Sequence, residues 1–594
     1  EGDLRMQNPY WIAYRNLRLN NKKRYMASAG LSYQILDWLN VAGRVRIDNT
    51  HSEYEGKLYA SSSNTLTDGS TQGHYTVNNG QYSQTYADVL VNINKRIQDF
   101  TIVANIGASY SGVTSKELGY AGPIRETGIP NLFNVYDLDN AKKRATQVGW
   151  REATESVFAS AEVGWKSMLY LTVTGRNDWA SQLTHSPQAS FFYPSVGLSA
   201  VITEMLKLPD WVDYLKVRGS FSSVGNPYPR FLTYPTYSYD ANKQDWKSQT
   251  NYPIGKLYPE RTDSWEIGLD ATLFKDFKLS GSFYYANTYN QTFDPRLPVS
   301  SGYDKLYVQT GYVRNYGFEA MLSYGHRWGD FSWDSSFTFS ANKNEIVELV
   351  KDYVHPETGK TYNVDKLELK TDEGRGFGKA KFILKEGGTL GDLYTHADLK
   401  RDINGNILID DSGNVTAIDN AGDIKLGSVL PKANLAWNNS FSYKGINAGF
   451  LLTARLGGIV YSATQAYLDL YGVSETSAAA RDAGGVWVNG RSRVNPQSFY
   501  EVVASQSGLP TYYTYSATNL RLQEAHIGYT IPRRWLGNVC DINVSLVGRN
   551  LWMIYCKAPF DPEAVATTNN YYQGIDYFMM PSTRNIGFNI KINF

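Results

Sequence analysis

The residues of this chain that resemble catalytic groups do not form a complete catalytic motif. The sequence contains no HExxH, GxSxG or P-loop pattern, and its 7 histidines are scattered, with none paired at helical spacing. Asp561 and Glu563 are close enough in sequence to suggest an acid–base pair, but Pro562 between them favours a rigid turn. We therefore predict that the chain is not an enzyme.

The segment DINGN, residues 402–406, has the oxygen-bearing side chains of a calcium loop at alternate positions. The ligands would be Asp402, Asn404 and Asn406. The full EF-hand pattern fails because Ile407 stands where that loop needs glycine. Since Asn-Gly is a strong hairpin signal, we predict a turn here, with residues 404–414 forming a small hairpin and no metal or other cofactor.

Aromatic residues in polar segments are further candidates, because a ring can stack on the face of a sugar. Four tryptophans lie in or near predicted loops: Trp179, Trp211, Trp246 and Trp487. Trp246 and Tyr239 share the polar, aromatic segment 237–253 and form the best candidate ligand contacts. The alternative for each tryptophan is a membrane-interface girdle or loop packing, and the short turn around Trp211 favours the girdle.

The composition excludes several classes of protein. The net charge of +1 over 594 residues indicates neither nucleic acid nor a strongly charged partner. The mean hydropathy is −0.40, and no apolar run approaches the roughly 18 residues of a membrane helix. The first ten residues lack the pattern of a signal peptide. A membrane barrel remains compatible, because its strands alternate lipid-facing and lumen-facing residues.

The counts of particular residues favour such a barrel. The chain has 45 Tyr, 14 Trp and 51 Gly, which suit interface girdles, turns and long loops. The 2 cysteines, Cys540 and Cys556, are too few for a disulfide framework. A single bridge between them stays open, although Cys540 falls on an apolar strand face.

Segments that alternate with a period of two recur along the chain. The last, RNIGFNIKINF (584–594), alternates Ile and Phe with small or polar residues, so one face is apolar. The same pattern occurs at 24–36, 100–110, 264–274, 276–286, 316–324, 331–339, 446–456 and 540–548. Most runs have the length of about ten residues that a tilted membrane strand needs. We count about 17 candidate strands.

Short turns alternate with long loops between these segments. The turns fall at 95–99, 165–167, 274–276, 326–330 and 443–445, and the loops at 111–154, 224–262, 341–432, 458–517 and 550–582. This alternation is typical of an antiparallel outer-membrane β-barrel with short periplasmic turns and long extracellular loops. Residues 1–23 then read as an extracellular loop. Because such barrels normally have an even number of strands, we expect the first strands to lie outside this chain.

The alternation also assigns inward-facing residues. Four polar side chains should point into the lumen: Arg218, Glu266, Asn315 and Glu319. Arg455 and Arg549 follow the same pattern. These residues either line a path for a ligand or contact a lumen-filling plug and one another.

Several stretches resemble the SusC/RagA type of TonB-dependent outer-membrane transporter of Bacteroides-like bacteria. They are TGRNDWASQL (174–183), FFYPSVGLSAVITE (191–204), LKVRGSFSSVGNP (215–227), YPERTDSWEIGLD (258–270), RNYGFEAMLSY (314–324), LGSVLPKANLAWNNSFSYKGINAGFLLTARLGG (426–458), LRLQEAHIGYTIP (520–532) and GRNLWMIYCKAPFDPEA (548–564). They span nearly the whole chain in the family's order.

The resemblance implies a 22-stranded barrel in the outer membrane, of which this chain holds about the last 17 strands, without the plug domain. It also implies active import of an oligosaccharide or an oligopeptide. A SusD-like surface lipoprotein would act as the lid, and the TonB complex would supply the energy through the missing N-terminal part. Outer-membrane lipid would surround the apolar face.

The same resemblance assigns roles to individual residues. Arg176 and Asp178, in the RND motif, would bind ligand or form a structural ion pair that supports a loop, and Trp179 follows them. Ile590, Ile592 and Phe594 resemble the terminal signal that the outer-membrane assembly machinery reads. Two alternatives from other classes are a passive barrel or adhesin without an energised gate, and a soluble β-sandwich enzyme.

Overall fold

A computed structural model describes residues 7–232, 237–240, 245–247, 251–252, 257–293, 305–306, 308–354, 359, 361–369, 378–566 and 573–594. Seventeen strands form one sheet in which each strand pairs antiparallel with the next in chain order. The predicted all-β class and strand number are therefore confirmed. β1 and β17 form the two edges of this sheet. No helix of the described residues is long and apolar enough to span a membrane.

The strands of the large sheet have the following bounds: β1 Asn16–Leu36, β2 Leu39–Tyr59, β3 Gly73–Ile97, β4 Phe100–Pro123, β5 Arg144–Trp165, β6 Leu169–Ala180, β7 Ser190–Val201, β8 Val212–Asn226, β9 Glu260–Leu273, β10 Phe277–Phe293, β11 Val308–Trp328, β12 Phe331–Glu348, β13 Ala433–Tyr443, β14 Ile446–Leu456, β15 Asn519–Ile531, β16 Asp541–Cys556 and β17 Asn585–Asn593. The helices are α1 Pro9–Arg15, α2 Ile202–Met205, α3 Ala463–Leu470, α4 Glu475–Asp482 and α5 Pro496–Val503.

The register keeps one polar and one apolar face across neighbouring strands. Arg44, Asp88, Ser109, Ser156 and Asp178 are successive cross-strand partners from β2 to β6. One position along, the partners are Gly43, Val89, Ala108 and Val157. Because side chains alternate between faces, the first row lies on the lumen face and the second on the lipid face.

A belt of aromatic rings surrounds the short turns on the lipid face. The Trp211 ring stacks on Phe274 with centroids 5.5 Å apart, and Phe277 lies 4.7 Å from Tyr324. The belt continues through Trp328, Phe331, Trp333 and Phe441. Tyr and Trp rings are enriched at both membrane–water interfaces, so this end of the barrel carries an interface girdle that includes Trp211.

Three long loops fold together at the opposite end of the barrel. We call their described residues between 349 and 432, 457 and 518, and 557 and 584 the outer-loop domain. Buried residues of all three loops form one apolar core, which includes Phe382, Phe499 and Ile575. This core also packs on Val313 and Ile346, which lie on the lumen faces of β11 and β12. The outer-loop domain is therefore anchored to the inner side of the barrel wall.

Short strands and helices build this domain. A four-stranded sheet contains Lys366–Leu369, Ala380–Lys385, Asp392–Thr395 and Ile424–Ser428, and a three-stranded sheet contains Thr514–Ser516, Ile459–Ser462 and Ile575–Asp576. Three two-stranded pairs in this domain join Val350–Val354 with Thr361–Val364, Asp398–Leu399 with Ala417–Ile418, and Val486–Val488 with Ser492–Val494. Two further pairs lie outside this domain and join Ser238–Asp240 with Asp245–Lys247, and Asn251–Tyr252 with Lys305–Leu306. The start of α5 is capped by the Asn495 side chain, and Pro496 occupies its first turn.

Two sequence predictions need correction, and one open alternative is excluded. The loop at 111–154 was predicted too long, because β4 runs to Pro123 and β5 starts at Arg144. β1 starts at Asn16, so residues 16–23 belong to a strand of the sheet and not to a loop. The single disulfide that the sequence left open does not form, because both cysteines are free: Cys540 precedes the first residue of β16 and Cys556 is its last.

Candidate binding surfaces in the lumen and outer loops

The RND motif lies on β6, near the outer end of the barrel. The Arg176 Nε donates to Asp178 at 2.7 Å, and Arg176 also donates to the Ser156 hydroxyl at 2.8 Å. The Tyr193 hydroxyl donates to the second Asp178 oxygen at 2.8 Å. Since Asp178 is buried and occupied by its neighbours, it holds Arg176 and Tyr193 in place, which is the geometry of a structural ion pair.

Trp179 does not join this pair. Arg176 and Asp178 share the lumen face of β6, and Trp179, one residue further, points to the lipid face. Its partner across the strand pair is Glu155, and the ring is 45% exposed. Trp179 therefore lies on the other face of β6 from Arg176 and Asp178. This placement fits a membrane-interface girdle, the alternative role predicted for the tryptophans.

Arg218 and Glu266 lie together on the lumen faces of β8 and β9. Arg218 Nη1 donates to Asp270 at 2.6 Å, and its Nη2 lies 3.5 Å from Glu266. The Ser280 hydroxyl donates to the other Asp270 oxygen at 2.6 Å. A Cβ at Gly268 would lie 2.6 Å from the Arg218 guanidinium carbon, so glycine at this position makes room for the arginine.

A hollow of about 730 Å³ extends from Arg218 along the wall to β15. Glu319 and Arg455 contribute to its lining, together with Glu563 from the last outer loop. Arg455 donates to the Val429 carbonyl at 2.7 Å, which ties the wall to the outer-loop domain. The hollow is a polar depression where a ligand can meet both signs of charge.

Asn315 and Arg549 have local partners on the lumen face. The Asn344 amide donates to Asn315 Oδ1 at 3.0 Å, and the Leu390 N–H donates to Asn344 Oδ1 at 2.8 Å. Asn315 therefore supports the base of the outer-loop domain. Arg549 donates to Glu524 at 3.2 Å between β16 and β15. These contacts between neighbouring lumen-facing side chains fit the second of the two predicted roles, in which the inward-facing residues contact one another instead of a ligand.

The Tyr239–Trp246 pair forms an exposed aromatic edge. The two residues face each other across the pair of strands Ser238–Asp240 and Asp245–Lys247. Their ring centroids are 5.3 Å apart at 61°, and the residues are 53% and 65% exposed. The remainder of segment 237–253 falls partly outside the described residues. The exposed rings offer a stacking surface to a ligand that approaches from outside.

A second aromatic site was missed by the sequence analysis. Trp150 lies on the lumen face of β5 with the Arg230 guanidinium carbon 3.7 Å from its ring centroid. Arg230 also forms an ion pair with Glu152, and Tyr82 on β3 lies 6.4 Å from the Trp150 ring. The sequence assigned Trp150 to a loop because residues 144–154 show no apolar alternate face. Trp487, by contrast, is an exposed residue of the short strand Val486–Val488, with the Arg493 guanidinium over its ring.

The DINGN segment forms a turn. Asp402 Oδ1 accepts the N–H groups of Asn404 and Asn406, each at 2.8 Å, and Asp410 repeats this arrangement with Asn414 at 2.8 Å. The Asn406 amide and these backbone donors hold the pKa of Asp402 below its ordinary value. In the part of the chain that the structure describes, no three His, Cys, Asp or Glu residues are grouped as metal ligands.

The terminal strand keeps the facing predicted from its alternation. Ile590 pairs with Val544 and Ile592 with Ile542, so both isoleucines lie on the apolar face, whereas Asn589 pairs with Ser545 on the polar face. Phe594 follows the strand and is exposed. The role of this strand as an assembly signal stays a prediction.

The sheet with a polar inner face, an apolar outer face and a folded outer cap defines a transmembrane β-barrel of the outer-membrane type. The chain belongs to the family described as "TonB dependent receptor-like, beta-barrel", whose model matches residues 2–551. Members of this family are receptors and transporters of the outer membrane, which places this chain there.

Known relatives agree with this assignment. TonB-dependent receptor P3 of Formosa agariphila is 23% identical over 99% of this chain and 60% of its own length. TonB-dependent receptor SusC of Bacteroides thetaiotaomicron is 24% identical over 67% of this chain and 40% of its own. The solved structure of the RagAB peptide transporter superposes with a TM-score of 0.74 and 17% identity, covering 99% of this chain and 63% of that one. The chain thus spans less than two thirds of these proteins.

Proposed function

We propose that this chain is the C-terminal barrel portion of an importer that carries an oligomeric nutrient across the outer membrane. The observation that supports this most is the outer-loop domain, whose core packs on Val313 and Ile346 inside the wall. A passive pore has no need for a folded cap of this size over its lumen. The energy would come from the TonB complex, acting through a plug domain outside this chain.

The favoured cargo is an oligosaccharide. Two surfaces support it: the exposed Tyr239–Trp246 edge outside and the Tyr82–Trp150 pair in the lumen. Both combine flat apolar rings with polar neighbours, which suits the mixed faces of a sugar ring. An oligopeptide is the second candidate, since the structural neighbour RagAB is named as a peptide transporter.

A SusD-like lipoprotein is the proposed partner at the outer surface. Leu468, Tyr471 and Val473, at the end of α3 and just beyond it, are 38–68% exposed on the outer-loop domain. Neighbouring apolar residues left open to water are typical of protein contact sites. A lid docked there would enclose ligand between itself and the barrel.

Uptake of labelled oligosaccharides and oligopeptides by cells tests this proposal. The strain should import one class only when this gene, its TonB system and the lipoprotein are all present, and an uncoupler of the proton gradient should stop import. Replacing Tyr239 and Trp246 by alanine should reduce sugar uptake, whereas Tyr136→Ala, at an exposed ring on another loop, should not. Uptake that persists without TonB would indicate a passive barrel.

A further inference from the structure

The lumen faces of β1 and β2 carry a group of five positive charges. Even-numbered residues of both strands share this face, because Arg44 pairs with Gly30 and Arg24 pairs with Thr50. The basic residues on it are Arg18, Lys22, Arg24, Arg44 and Arg46, and all are exposed. We call these five residues the basic track.

The residues that the structure describes neutralise only part of this charge. Arg24 donates to Asp48 at 2.9 Å, and Arg44 donates to Asp88, on β3, at 3.1 Å. Five cations less two carboxylates leave a net charge of +3. The three others, Arg18, Lys22 and Arg46, form no ion pair with any residue that the structure describes.

The basic track follows the strands towards the outer opening. Its two ends are Arg44 and Arg18, which pairs with Gly56, so the track covers the stretch of β2 from 44 to 56. At roughly 3.4 Å per residue this is about 40 Å along the strand. A track of this length can contact several units of an oligomer at once.

Aromatic rings border the track on β3. Arg46 pairs with Tyr86, and its guanidinium carbon lies 5.6 Å from that ring centroid. Thr50 pairs with Tyr82, which continues to the Trp150 ring across the wall. The track therefore combines cations with flat apolar surfaces on one continuous face.

We propose that the basic track binds the carboxylate or sulfate groups of an acidic oligosaccharide, which makes the cargo of this barrel anionic. This proposal rests on the import function proposed above and narrows its substrate class. A cleft lined by one sign of charge raises the local concentration of the opposite ion. Guanidinium groups donate two parallel hydrogen bonds to a carboxylate or a similar oxyanion, while the bordering rings can stack on the sugar. A neutral sugar gains only the stacking.

The test uses the intact outer-membrane protein with its lipoprotein partner, and two pentasaccharides of the same linkage, one of galacturonic acid and one of galactose. Binding is measured by calorimetry at low and high NaCl, and uptake is measured separately in cells. The variant Lys22→Gln/Arg46→Gln removes two unpaired cations. The matched control, Lys278→Gln/Lys591→Gln, removes two lumen-facing cations from β10 and β17.

The wild-type protein should prefer the acidic pentasaccharide, and salt should weaken that preference. The track variant should bind the acidic sugar at least ~10-fold more weakly, because it lacks two cations that would donate charge-assisted hydrogen bonds to the sugar's anionic groups. The affinity of the track variant for the neutral sugar should equal that of the wild type. The control variant should bind both sugars as the wild type does. Equal affinity of the wild type for both sugars would overturn the proposal.

Another result would also overturn it. If the track variant lost both sugars and made cells permeable to vancomycin, the cations would hold the lumen-filling plug rather than the cargo. Binding of the acidic sugar with the expected selectivity, but without energised uptake, would contradict the import function and leave the anion site standing.

Discussion

The orientation of the terminal strand can be tested with a single arginine. Ile590 lies on the apolar face of β17, four residues before Phe594. With about 3.4 Å per residue and a strand tilt near 40°, its Cα lies ~10 Å from the periplasmic end of the strand. The apolar band of such a barrel is about 25 Å tall, so Ile590 lies close to its middle.

Ile590→Arg should therefore cost about 2–4 kcal/mol, the range for arginine near the midplane of the bilayer. Ile592→Arg, nearer the interface, should cost less, and Asn589→Arg on the polar face should cost little. The fraction of folded barrel across a urea series, measured by its mobility shift on unheated gels, gives the order of the three variants. If Asn589→Arg were as damaging as Ile590→Arg, the assignment of the two faces would be wrong.

Three further predictions concern the outer end of the barrel. Phe382→Ala, in the core of the outer-loop domain, should cost about 3–5 kcal/mol and make that domain protease-sensitive, while the barrel keeps its gel mobility shift. Asp178→Asn should lower the melting temperature, because it leaves the guanidinium of Arg176 without its carboxylate partner. In a double-mutant cycle, adding Arg176→Gln should recover much of that loss. Additive losses would show that the ion pair contributes nothing to folding. Hydrogen bonds from Lys366 and Lys385 lower the pKa of Asp423. The charged carboxylate therefore stabilises the outer-loop domain above the ordinary aspartate pKa of ~3.9, and this stabilisation is lost as the pH falls below that value. Near-ultraviolet circular dichroism should show a weaker acid transition in Asp423→Asn than in the wild type.

The membrane part of the fold could be predicted from the sequence because its signal is local. In FTIVANIGASY, residues 100–110, each apolar side chain is two positions from the next, and this alone separates the lipid face from the lumen face. The same rule predicts that Arg218 and Glu319 face the lumen, and both contribute to the lining of the hollow of about 730 Å³. The rule also puts Trp179 and Asp178 on opposite faces of β6, because the two residues are consecutive. Grouping them as one ligand site from their adjacency in the motif overlooked this.

The upper parts of the strands gave no such signal. β4 continues to Pro123 and β5 begins at Arg144, with small or polar residues on much of both faces. Where a strand rises above the bilayer, both of its faces meet water, so the contrast between apolar and polar residues disappears. Trp150, which lies in this part of β5, was assigned to a loop for that reason.

What the sequence by itself determined is the barrel: its strand number, its two faces and its place in the membrane, because each follows from residues that are neighbours in the chain. Only the tertiary structure decided what stands over the lumen. The outer-loop core joins Phe382, Phe499 and Ile575 from three separate loops. Such groupings depend on contacts between residues far apart in sequence, which no local pattern encodes.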